Sequence, residues 1–118
     1  MSYQTYTVIH VVGVIFLFSA LGALAGTAGS THSVLRRTAS IAHGVALALI
    51  FVAGFGLLAR LGFLGSIPAW AWAKRTLWAA LGAVVVPLKR RPEWAPLLWV
   101  AMPVLGGVAA WLAITKPF

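Results

Sequence analysis

The chain has 118 residues, of which 62% are hydrophobic and 8% are charged, and its formal net charge is +8. A soluble domain of this length cannot bury so much apolar surface, so the composition excludes a soluble enzyme, a disordered tail and a nucleic-acid-binding domain. Cys and Asp are absent and Glu93 is the single acidic residue, which excludes disulfides, thiolate chemistry, Ser-His-Asp triads and paired-carboxylate catalysis.

Four apolar stretches follow one another along the chain, each long enough to cross a hydrocarbon core of about 30 Å. They predict helices over residues 5–26, 38–62, 68–88 and 94–115, within a single domain that covers residues 1–118. The breaks between them are too short to hold a further domain. Such short connections predict an all-α integral membrane four-helix bundle with up-down-up-down topology.

The basic residues of the breaks predict how the bundle is oriented. Arg36 and Arg37 close the first predicted loop, and residues 89–91 form a basic run in the third. Both loops lie on the same side of an up-down bundle, and the positive-inside rule assigns that side to the cytoplasm. The sequence therefore predicts a multi-pass protein of a bacterial inner membrane, surrounded by lipid, with both termini in the periplasm.

Ionisable side chains inside the predicted spans are candidate functional residues, because burying them in hydrocarbon is costly without a partner. His10 and Lys74 each lie roughly 8 Å below the side that holds the N-terminus, and Arg60 approaches the same side from the second helix. These three residues are predicted to form one polar layer. The alternatives are a hydrogen-bonded interhelical histidine at position 10 and a snorkelling arginine at position 60. Because Arg75 adjoins Lys74, only one of the two is expected to point well into the bundle.

The other two histidines are predicted to be structural. His43 lies about 15 Å of membrane depth away from His10, so the two imidazoles are not expected to ligate one haem iron. Its position next to Gly44 favours a packing or interfacial role. His32 falls in the first predicted loop.

Two windows of the sequence resemble a known group of small membrane proteins. Residues 6–14, with the sequence YTVIHVVGV, resemble the K-x-x-H-h-h-G-h opening of the HemJ-type protoporphyrinogen oxidases and of the SirB-like and CopD-like proteins, where h is apolar. Residues 68–74, with the sequence PAWAWAK, resemble the P-x-W-h-x-x-K start of the third helix in the same group. The predicted four-helix layout is shared as well.

The resemblance implies a haem site. In HemJ-type members the first-helix histidine and the third-helix lysine are associated with haem binding and with oxidation of protoporphyrinogen, with electrons passing to quinone. Applied to this sequence, the resemblance implies that His10 is the axial ligand of a haem b iron and that Lys74 or Arg60 is its cofactor-binding partner. The first loop lacks the basic, aromatic-rich continuation of the HemJ-type enzymes, so the resemblance implies the fold and the haem site and assigns no catalytic residue.

Three functions are compatible with these observations. The first is a haem b-binding protein with a redox or haem-related role. The second is a non-catalytic accessory subunit, whose glycine-rich helix faces pack against other membrane subunits or a second copy. The third is a small multidrug-type transporter, which ranks last because proton or cation exchange needs a membrane-embedded carboxylate and Glu93 lies in a loop.

Overall fold

The computed structural model describes residues 2–31 and 33–116, and in this part of the chain all regular structure is helical. The five α-helices are α1 (Tyr3–Gly26), α2 (Ser33–Arg60), α3 (Ala69–Ala83), α4 (Val85–Arg90) and α5 (Ala95–Thr115), and a short 3-10 turn (Pro92–Trp94) precedes α5. His32 lies outside the described residues. The all-helical class predicted from the sequence is confirmed.

The first helix is capped at both ends by side chains. Ser2 is its N-cap residue, and the Ser2 hydroxyl accepts a hydrogen bond of 3.2 Å from the Thr5 backbone N–H. At the other end the Thr27 hydroxyl donates to the Ala23 carbonyl at 2.7 Å. Gly29 then turns the chain with a φ of 78°, in the left-handed region that glycine adopts without steric cost.

The second helix begins earlier than the sequence predicted. It starts at Ser33 instead of residue 38, so Arg36 and Arg37 lie in its first turns and not in the preceding loop. Nη1 of Arg36 donates to the Leu24 carbonyl at 3.0 Å and to the Thr27 hydroxyl at 2.8 Å. The Arg36 guanidinium thereby satisfies backbone at the end of α1, which ties the two helices together at this turn.

The end of α2 is a Schellman motif built around Gly62. Gly62 has a φ of 82°, the Phe63 N–H donates to the Leu58 carbonyl at 2.9 Å, and the Gly62 N–H donates to the Ala59 carbonyl at 3.1 Å. The side chain of Phe63 packs against a buried cluster that contains Leu58, as is usual for this motif. The chain then runs through a short connection to α3.

The third predicted helix, over residues 68–88, is interrupted in the structure. It is divided at Val84 into α3 and α4, and Pro87 lies in the first turn of α4. Proline has no N–H to donate to the carbonyl four residues earlier, which here belongs to Ala83, and its ring crowds that carbonyl. The chain nevertheless keeps helical geometry at Val84, whose N–H donates to Ala80 and whose carbonyl accepts from Leu88.

The helices α1 and α2 form the most extensive contact of the fold and run in opposite directions. Tyr6 of α1 lies against Gly56, and a Cβ at Gly13 would lie 2.9 Å from the Ile50 side chain. Helix α5 packs against α3 and α1. The largest fully buried side chains are those of Leu17, Leu21, Leu24 and Leu88.

The outer surface of the bundle is apolar. Large hydrophobic side chains on every long helix are exposed, including Val8 on α1, Val52 on α2, Trp72 on α3 and Ile114 on α5, the last with 80% of its surface accessible. Three segments of the described chain are long and apolar enough to cross a membrane: Tyr3–Gly26, Val34–Arg60 and Pro92–Thr115. Helix α3 alone has 15 residues, or about 22 Å at 1.5 Å per residue, and does not reach that length.

Candidate functional site

A cavity of about 120 Å³ lies at the end of the bundle where α1 and α3 begin and α2 and α5 end. Helices α1, α2, α3 and the C-terminal end of α5 all contribute to its walls. We call this end of the molecule the cavity end, and the opposite end, which holds the turns after α1 and after α4, the turn end.

The cavity is lined by four basic side chains and by no acidic side chain. They come from three separate parts of the chain: His10 from α1, Lys74 and Arg75 from α3, and Lys116 just after α5. The single acidic side chain, Glu93, lies at the turn end, where its carboxylate is 3.7 Å from Nη1 of Arg91. The cavity is therefore a basic site with no internal counter-charge from a side chain.

The imidazole of His10 has an open hydrogen-bonding position. Its Nδ1 atom is buried, and it has no hydrogen-bond partner among the described residues. A buried polar atom of this kind costs about 1–3 kcal/mol, which a bound group could recover. His10 is therefore the side chain of the cavity that is best suited to coordinate a metal or to bond to a ligand.

The guanidinium of Arg75 is held against aromatic rings of α2. Its Cζ lies 3.7 Å from the centre of the Phe55 ring and 5.2 Å from that of Phe51, which are cation–π distances. The Arg75 Nε atom is buried without a hydrogen-bond partner in the described part of the chain. Lys74 and Arg75 both line the cavity.

Two tryptophans form rigid walls of the cavity. Nε1 of Trp78 donates to the Leu47 carbonyl of α2 at 3.1 Å, and the Trp78 ring lies 5.1 Å from that of Phe51. Trp70 is buried, and its ring meets Phe63 edge-on at 5.9 Å. These contacts fix the two indoles, so the cavity has preformed aromatic sides.

Lys116 lies at the mouth of the cavity. It has a φ of 47°, in the left-handed region, and its Nζ donates to the Ala113 carbonyl at 2.7 Å. The same Nζ lies 5.3 Å from the centre of the Trp70 ring. Lys116 and Lys74 line the same cavity, so two amine side chains from different parts of the chain meet there.

The structure separates Arg60 from the other two predicted site residues. His10 and Lys74 line the same cavity, whereas Arg60 is exposed at the last turn of α2 and does not contribute to the lining. The snorkelling alternative for Arg60 stays a prediction. The polar layer predicted from depth consists instead of His10 and Lys74 together with Arg75 and Lys116.

His43 has the packing role that its sequence position favoured. It is buried, and its Nε2 lies 3.1 Å from the Leu81 carbonyl, which joins α2 to α3. His43 does not line the cavity that His10 lines. In the described residues no group of three or more His, Cys, Asp or Glu side chains is close enough to hold a metal ion.

Arg75 belongs to the ionisable candidates that the sequence places inside the spans, but nothing in the sequence places it in one site with His10. Lys116 is recognisable from the sequence only as a basic residue at the end of the last helix. The two tryptophan walls both lie on α3, whereas the rings that they meet, Phe51 and Phe63, belong to α2 and to the connection that follows it. Only the relative positions of α1, α2, α3 and α5 bring these groups together.

Comparisons with known proteins identify no relative. No protein-family model matches the chain, and no curated protein and no solved structure is significantly similar to it. The function of the protein therefore has to be inferred from the geometry of the cavity and from the chemistry of its side chains.

Proposed function

We propose that this chain is an integral membrane protein whose helices cross a bacterial inner membrane four times, in up-down-up-down order. The support is the apolar exterior and the three segments of sufficient length. A fourth crossing would use α3 and α4 together. Ala69–Arg90 measures about 33 Å at 1.5 Å per residue, which matches a hydrocarbon core of about 30 Å.

The orientation follows from the basic residues of the turn end. Arg36, Arg37 and residues 89–91 lie there, which the positive-inside rule places in the cytoplasm, with both termini in the periplasm. A reporter that is active only in the cytoplasm, fused after Phe118, should be inactive. The same reporter inserted after Gly29 should be active. The reverse pattern would invert the proposed topology.

Within this frame we propose that the protein binds haem b and has a redox or haem-related role. The observation that carries the proposal is that His10 and Lys74, far apart in sequence, line one cavity and that the buried Nδ1 of His10 has no partner. Imidazole is a common axial ligand of haem iron. Cationic side chains near it suit the two propionates.

Each group of the cavity has a definite task in this proposal. His10 would hold the iron, while Lys74 and Lys116 would bind the propionate carboxylates. The rings of Trp70 and Trp78 would exclude water from the macrocycle. Bound haem supplies one-electron chemistry at its iron, which the protein tunes through the axial ligand and the polarity of the surroundings.

The side chains of the cavity suit haem, but the volume of the cavity is small for it. Pockets for ligands of drug or cofactor size hold about 300–1,000 Å³, whereas this cavity measures about 120 Å³. Binding of a whole macrocycle therefore requires the helices that form the walls to move apart, against the contacts that hold Trp70 and Trp78 in place.

The test is the visible spectrum of detergent-purified protein, oxidised and dithionite-reduced, with a pyridine haemochrome assay for stoichiometry. Near-stoichiometric haem b is the expected result. A folded, colourless protein obtained from cells supplied with haem would refute this function.

A second candidate is a non-catalytic subunit of a larger membrane assembly. It is favoured by two glycines that face outward: a Cβ at Gly44 of α2 or at Gly107 of α5 would meet nothing within 4 Å. Such positions let another helix approach closely. Under this alternative the purified protein is colourless and exceeds its monomer mass in light scattering, and Gly44→Leu or Gly107→Leu reduces that mass.

A further inference from the structure

We propose that the basic cavity binds a phosphate group, and that an anionic phospholipid of the surrounding bilayer supplies it. The inference rests on the membrane insertion proposed above, and it does not depend on haem binding. It assigns the cavity a ligand class of its own, chosen by charge, size and position.

Charge is the first argument. Lys74, Arg75 and Lys116 line the cavity, and Glu93, the only acidic side chain, is paired with Arg91 at the other end of α5. Helix α5 has 21 residues, so about 32 Å separate the two ends. These three cations share one cavity without a carboxylate among its lining side chains, so an anion bound there would be attracted by all of them.

Size is the second argument. The cavity measures about 120 Å³, which is room for several water molecules. This space suits a phosphate group with part of its ester, and it is well below that of cofactor pockets. Lys and Arg are the side chains that most often bind phosphate oxygens.

Position is the third argument. The cavity lies at one end of the bundle, at the level where phospholipid headgroups would meet a membrane-spanning chain. Next to it, Leu61, Leu64 and Trp72 are exposed, so acyl chains have apolar surface to cover. A phosphate diester bound there would meet the cations while its acyl chains cover the apolar surface. The site thus places basic side chains beside apolar surface, as the lipid places an anionic headgroup beside apolar acyl chains.

Affinity is measured by titrating lipid into delipidated protein in a neutral detergent and following the thermal unfolding temperature. The probes are dioleoyl phosphatidylglycerol, dioleoyl phosphatidylcholine and sodium phosphate. Phosphatidylglycerol is expected to raise the unfolding temperature, and phosphatidylcholine is expected to have little effect. A comparable rise with sodium phosphate at millimolar concentration would assign the same cavity to free phosphate instead of a lipid.

Variants locate the binding. Removing one cation near a membrane surface weakens the binding of an anionic lipid about 5-fold. The double variant Lys74→Gln/Lys116→Gln should therefore bind phosphatidylglycerol about 25-fold more weakly than the wild type does. The matched control, Lys89→Gln/Arg90→Gln, removes the same charge from exposed positions at the turn end and should bind as the wild type does. Equal losses in both variants, or equal shifts with both lipids, would overturn the proposal.

Two further experiments separate the phosphate site from the functions proposed above. His10→Ala removes the candidate iron ligand and keeps Lys74, Arg75 and Lys116, so this variant should lose haem absorbance while phosphatidylglycerol still raises its unfolding temperature more than phosphatidylcholine does. Extraction of cell membranes with alkaline carbonate tests insertion independently. Protein that stays in the membrane but does not distinguish the two lipids contradicts the phosphate site alone.

Discussion

The two ends of the bundle carry similar numbers of basic residues but use them differently. At the turn end, Arg36 bonds to the Leu24 carbonyl and the Thr27 hydroxyl, and Arg91 lies beside Glu93 and 5.5 Å from the centre of the Trp94 ring. These two side chains have partners within the fold and stabilise turns, and the other basic residues of this end are exposed at its surface.

At the cavity end the basic groups converge from different helices and leave positions open. The Nδ1 of His10 and the Nε of Arg75 are buried without hydrogen-bond partners in the described chain. The buried cluster beside them is also the smaller of the two cores, built on Leu58, Trp70 and Leu112. The comparison teaches that basic composition alone does not mark a site, because a cation becomes available to a ligand only where the fold does not already satisfy it.

The largest expected effect concerns the two histidines. His10→Ala should abolish haem absorbance, because it removes the only cavity imidazole, whereas His43→Ala should retain most of it per folded molecule, because His43 bonds to the Leu81 carbonyl away from the cavity. The measurement is the reduced-minus-oxidised spectrum of each purified variant. Loss of absorbance in His43→Ala with retention in His10→Ala would move the site away from the cavity end.

A smaller effect is expected for helix packing on α1. A Cβ at Gly13 would lie 2.9 Å from Ile50 Cγ1, so Gly13→Ala forces buried atoms apart at a cost of about 1–3 kcal/mol, against a gain of about 1 kcal/mol in helix propensity. Gly22→Ala, on the same helix nearer the turn end, meets nothing within 4 Å and should be neutral or stabilising. Unfolding in mixed micelles measures both. Equal stabilities would show that the two halves of α1 are packed alike.

At the turn end an effect on stability but none on ligand binding is expected. Arg36→Ala removes two charge-assisted hydrogen bonds and should lower the free energy of unfolding by about 1.5–3 kcal/mol, while leaving absorbance and lipid affinity unchanged. Arg37→Ala, an exposed neighbour in the same helix, should change it by no more than about 0.5 kcal/mol. If Arg36→Ala instead weakens ligand binding, the two ends are coupled and the contrast between them fails.

Much of the helical architecture could be predicted from the sequence, because apolar length and turn residues act locally. The start of α2 was missed because the Thr, Ser and Gly content of residues 27–37 resembles a loop throughout, whereas Arg36 is held in the helix by backbone at the end of α1. The break at Val84 follows from Pro87, whose missing N–H is a local fact, but its extent depends on how α4 packs.

The sequence by itself determined the apolar exterior, the three long helices and the scarcity of acidic side chains, since these depend on composition and on local propensity. Depth arithmetic along the helices also placed His10 and Lys74 at one level, because the rise per residue is fixed. Only the tertiary structure decided which cations share a cavity. Helix rotation decides which of Arg60, Arg75 and Lys116 faces the cavity. Arg75 meets the Phe55 ring and Lys116 meets the Trp70 ring, and no local signal encodes these contacts.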